Sequence, residues 1–110
     1  MINDRIETIQ STIEQAGNIP EERKTELLQL VAGLQSEISA LSQTHRDEAF
    51  SITHFADASA HEAVRTEKNP QLAETALQGL RASVQGFEET HPDLVGIVSR
   101  FATALSNMGL

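Results

Sequence analysis

The chain has 110 residues, with 16 acidic side chains against eight basic ones for a formal charge of −8, no cysteine, and four phenylalanines as its only large aromatic residues. That charge repels phosphate backbones and anionic lipid, and so few aromatics leave little to stack on single-stranded bases. The missing thiols exclude thiol nucleophiles, disulfides and thiolate metal ligands.

The length suits a single domain, 1–110, which buries roughly two-thirds of its unfolded surface on folding. The opening "MINDRIETIQ" is polar and acidic from its third residue, unlike a secretory signal. The richest apolar run, "LLQLVAGL" (27–34), is interrupted by Gln29 and far too short to span a bilayer. A cytoplasmic protein without membrane or nucleic-acid partners is expected.

The first predicted helix carries Ile2, Ile6, Ile9, Ile13 and Ala16 at 4-3-4-3 spacing, one stripe of a helical surface. Gly17 is its expected C-terminal cap. Asn18 or Ile19–Pro20 restarts the chain, with Glu21 and Glu22 favourable in the next first turn. The second helix carries Leu27, Val31, Leu34, Ile38 and Leu41, so the two read as an antiparallel hairpin.

Beyond residue 41 the stripe weakens through "SQTHRDEA", where no Gly or Pro ends a helix. The spacing favours one helix from about Pro20 to about Glu67, roughly 70 Å long at 1.5 Å per residue, which demands an elongated molecule. The alternative is a new helix opened by a capping box, Thr44-x-x-Asp47.

Asn69-Pro70 is a clear break, with Asn as N-cap and Pro at the first helical position. Its helix carries Ala73, Leu77, Leu80, Val84 and Phe87. "THPD" then opens the last helix through Thr90-x-x-Asp93, with Leu94, Val98, Phe101, Leu105 and Met108 as its stripe and Gly109 as its stop. Two small-residue lines, Ala49-Thr53-Ala56-Ala60-Ala63 and Ala76-Gly79-Ser83-Gly86, predict close helix packing. The expected fold is therefore all-α: an N-terminal hairpin with a long second helix, then two shorter helices completing a bundle.

"HEAVR" (61–65) begins like the zinc-protease pattern H-E-x-x-H, but Arg65 replaces the second imidazole and cannot ligate zinc. His61, Arg65 and Lys68 instead complement the negative end of a helix dipole, and Glu62 can pair with Arg65 one turn on. His54, Asp57 and His61 share one helix face with Phe50 and Val64 and are candidate metal ligands. However, His54 and His61 stand about 10 Å apart along the axis, so a polar helix–helix seam is the better reading of that face. A di-iron bundle would need two Glu-x-x-His motifs, and Glu88–His91 supplies one. No phosphate-binding glycine loop or nucleophile elbow occurs, and no cofactor is expected.

The segments "HEAVRTEKNPQL" and "GFEETHPDLVGIVSRFATALSNMGL" resemble a bacterial family of short, acidic proteins that is a domain of unknown function. The likeness runs mainly over residues 50–110, and its most specific parts are "EKNP", "GFE-x-x-HP" and "LSNMGL". It implies a stand-alone helical protein and carries no activity, substrate or catalytic residue. The resulting expectation is a non-enzymatic protein acting through self-association as a homo-oligomer, or through a helical protein partner. Ile2, Ile6, Ile9 and Ile13 are the candidate interface, because a free hairpin leaves part of that stripe uncovered. The alternative is a bundle binding a metal or small ligand at the His54–Asp57–His61 face.

Overall fold

The isoleucine spacing near the N-terminus forms the helix it predicts, α1 (Ile2–Gln15), with Ile6, Ile9 and Ile13 fully buried. The computed structural model describes residues 2–108, and those residues form four further helices and no strand. These are α2 (Glu21–Leu41), α3 (Arg46–Ala63), α4 (Pro70–Ser83) and α5 (Pro92–Ser106). The fold is all-α, as expected from the periodicity. No helix among the described residues is long and apolar enough to cross a membrane.

The α1–α2 hairpin turns through residues 16–20. Gly17 is not the left-handed cap expected of it, because the positive-φ glycine among the described residues is Gly86. Pro20 instead holds the chain extended before α2, at φ −60° and ψ 148°, and its carbonyl accepts the first helical bond from the Lys24 amide at 2.9 Å. The whole α2 stripe, Leu27 to Leu41, is at most 1% exposed.

The single helix expected over 20–67 is broken at residues 42–45, and this corrects the sequence reading. Ser, Thr and His are weaker helix formers than the residues around them. Their hydroxyls also compete for the carbonyls a helix would use: Ser42 Oγ donates to Ser39 O at 2.8 Å, and Thr44 Oγ1 lies 3.4 Å from Leu41 O. The chain leaves helical geometry at His45 (φ −133°, ψ 66°) and restarts. Folding back brings the small line of α3 inside, with Ala49, Thr53, Ala56, Ala60 and Ala63 all at most 1% exposed. The elongated shape goes with the continuous helix: the molecule measures 37 × 24 × 22 Å with a radius of gyration of 12.9 Å, against about 13 Å for a globular chain of this length.

In the resulting bundle α3 lies against both α1 and α4, while α2 lies against α1 and α5. One hydrophobic cluster runs from Ile6 to Leu105 and draws on the hairpin, α3, α4 and α5. Close packing of α3 on α4 shows at Gly79, where an added Cβ would stand 2.4 Å from the Phe55 ring. Gly86 does not continue that line. It lies beyond the end of α4 with φ +96°, a conformation that suits glycine. Asn69 caps α4 as expected, its side chain accepting from the Leu72 amide at 3.2 Å. The stop assigned to Gly109 lies outside the described residues.

Candidate interaction surface

The expected interface stripe is turned inward. Ile6, Ile9 and Ile13 are 0% exposed, covered by α2 and α3, and Ile2 alone of the four is only half-buried. Removing each such side chain from water is worth roughly 1.5–3 kcal/mol, so the stripe holds α1 to its own chain.

The face of α3 that carries Phe50, His54, Asp57 and His61 behaves as a polar seam along part of its length. Arg5 of α1 reaches across it: its Nη1 donates to Asp57 Oδ2 at 3.1 Å, and its guanidinium carbon stands 5.8 Å from the centroid of the Phe50 ring. Asp57 is thereby committed to an ion pair. His54 is exposed and packs edge-on against Phe55, while His61 is exposed in the last turn of α3. Among the described residues no three His, Asp or Glu side chains gather where they could hold one ion.

The charged stretch that follows acts locally. Arg65 Nη1 donates to Glu62 Oε1 at 2.8 Å, the pairing expected one turn apart, and Lys68 Nζ bonds the Ala63 carbonyl at the end of α3.

An open groove of about 520 Å³ lies where the start of α1, the end of α2 and the start of α3 meet. Ile2 and Phe50 give it apolar surface, and Arg46, Asp47 and Gln43 give it charge and hydrogen-bonding groups. Phe50 is 48% exposed, matched among large apolar side chains by Leu72 on α4. A lone exposed leucine is ordinary. Phe50 differs in standing at a groove beside a second apolar side chain, with Arg5 against its ring.

Sequence reasoning missed a second cluster. The strings "THRD" (44–47) and "THPD" (90–93) open α3 and α5 in the same way. The N-cap is the histidine in both, not the threonine that a capping box requires: His45 has φ −133°, ψ 66°, and His91 has φ −137°, ψ 60°. Each threonine hydroxyl bonds the adjacent imidazole Nδ1 instead, at 2.7 Å for Thr44–His45 and 2.9 Å for Thr90–His91. The fold brings the two rings to a centroid separation of 5.7 Å, with Phe87 nearly perpendicular to both. The repeated T-H-x-D string was the available signal.

Comparison with known proteins gives one relationship. A family model described as "Domain of unknown function (DUF4404)" matches residues 56–110, and the chain belongs to that family. No curated protein and no solved structure matches the chain.

Proposed function

We propose that this member of the DUF4404 family is a non-enzymatic helical protein that works by pairing with a second copy of itself through the α1–α3 face around Phe50. One observation carries the reading: a half-exposed phenylalanine at a groove that also holds Ile2 and charges of both signs, Arg46 and Asp47. A two-fold interface must be complementary to itself, and adjacent opposite charges around an apolar centre meet that requirement. The formal charge of −8 makes chains repel elsewhere, so a mixed-charge patch is the least costly place for two copies to meet. The isoleucine stripe contributes by holding α1 in place beneath that face. The metal reading of His54, Asp57 and His61 draws no support from this geometry, because Asp57 is held by Arg5.

Sedimentation equilibrium at micromolar protein is expected to give the mass of two chains. Phe50→Glu is expected to give one chain with its helical content intact, since the side chain is half in solvent. A compact monomer for the wild type overturns self-pairing and leaves a different helical protein as the partner for this face. A Phe50→Glu variant that still pairs moves the interface elsewhere.

A further inference from the structure

We propose that His45 and His91 form a two-imidazole site for a divalent transition ion of the zinc, nickel or copper class, clipping the α2–α3 turn to the start of α5. The donors are separated by 45 intervening positions, at the N-caps of two different helices, and come together only through the fold.

Their geometry suits ligation. With metal–nitrogen bonds of about 2.0–2.1 Å and tetrahedral angles, two Nε2-bound imidazoles have centroids about 5 Å apart. The rings stand at 5.7 Å, close to that spacing, and ligation requires side-chain rotation that turns both Nε2 atoms toward one point.

The surroundings accommodate the Nδ1–H tautomer that ligation through Nε2 requires. Thr44 Oγ1 can give its proton to Leu41 O at 3.4 Å and accept from His45 Nδ1–H at 2.7 Å. Thr90 can accept from His91 Nδ1–H in the same way at 2.9 Å. An imidazole whose Nδ1–H is held by an oxygen presents the Nε2 lone pair, the usual arrangement behind a metal-bound histidine. Phe87 stands 5.5 Å from one ring and 5.2 Å from the other, perpendicular to both, and shields one side of the pair. Neutral imidazole suits zinc, nickel and copper, whereas calcium and magnesium want oxygen donors. Two protein donors leave the other positions to water, so binding is reversible and sensitive to chelators.

The test uses untagged, full-length protein stripped with a chelator and titrated with zinc chloride. Saturable uptake of one ion per chain is expected, with a rise in melting temperature. His45→Gln and His91→Gln should each abolish both effects, and Thr44→Val or Thr90→Val should weaken uptake about tenfold. His54→Gln and His61→Gln should leave both unchanged. In the wild-type protein, zinc should shift the Nε2 resonances of His45 and His91 and not those of His54 and His61, a readout that no variant's folding can confuse. Absence of saturable uptake overturns the site. So does uptake that survives both His→Gln changes, or resonance shifts confined to His54 and His61.

Discussion

Ser59 is 0% exposed in α3, and its Oγ has no hydrogen-bond partner among the described residues. Thr53 on the same helix shows the usual remedy, donating to the Ala49 carbonyl at 2.7 Å. An unsatisfied buried hydroxyl costs about 1–3 kcal/mol. Ser59→Ala is therefore expected to raise the urea midpoint, by about 1 kcal/mol in stability; a lower midpoint would mean that the hydroxyl has a partner. Gly79 shows the opposite constraint. At an exposed helix position Gly→Ala adds about 1 kcal/mol of helix propensity, but here the new Cβ meets the Phe55 ring at 2.4 Å. Gly79→Ala should destabilise by about 1–3 kcal/mol, and much of the loss should return in a Phe55→Leu background. Equal costs in both backgrounds would separate Gly79 from Phe55. At this scale the legible features were local ones, such as Asn69 as N-cap and the Glu62–Arg65 pair. The Thr-His starts were misread because the capping-box rule looks for a hydroxyl on the first backbone amides, and here the hydroxyl is held by the next side chain.

Among the elements, the stripes of α1, α2 and α5 were readable from spacing alone, and that of α4 as far as Leu80; α4 ends at Ser83, so Val84 is its C-cap and Phe87, expected on the same stripe, lies beyond the helix. The α2–α3 break was not readable, for a specific reason. Residues 42–45 contain no helix breaker, and weak propensity interrupts a helix only when folding back has something to cover. What it covers is the alanine line of α3, whose value depends on helices distant in sequence. The same cause turned the isoleucine stripe inward: whether α1 faces a partner or α3 depends on where α3 goes. This separates two substitutions. Ile9→Asp places an unpaired charge at a 0% exposed core position and should lower thermal stability severely, through the cost of burying that charge. Phe50→Glu should change the mass while sparing the melting temperature of the single chain. Thermal unfolding of Ile9→Asp close to the wild-type temperature would contradict the burial of α1.

For the whole molecule, the family match and the fold divide the chain differently. The matched segment begins at Ala56, inside α3 (Arg46–Ala63), and it excludes α1 and α2, which cover α3 and α5. Residues 56–110 alone are expected to show little helical circular dichroism and no cooperative thermal transition, whereas the full chain shows both. A cooperative transition in the fragment would make the second half a folding unit. The boundary at residue 56 is thus one of sequence similarity and not of structure. The donor pair at His45 and His91 straddles it, which is one reason that likeness over residues 50–110 could not point to the pair.

The packing of α2 on α5 also sets an order of events during synthesis. The α1–α2 hairpin is complete when residue 41 has left the ribosome, but Ile97, which lies 3.0 Å from the place a Cβ would take at Gly33, comes later. At about 5–20 residues per second, roughly 50 further residues take several seconds. Throughout that interval the side of α2 that meets α5 waits uncovered, beside an isoleucine stripe that α2 covers in part and that waits for α3 to complete its cover. The exposed acidic groups of the hairpin, Glu7, Glu14, Glu22 and Glu26, stand in solvent throughout that interval, and their like charge opposes the association of two such hairpins through the uncovered apolar side.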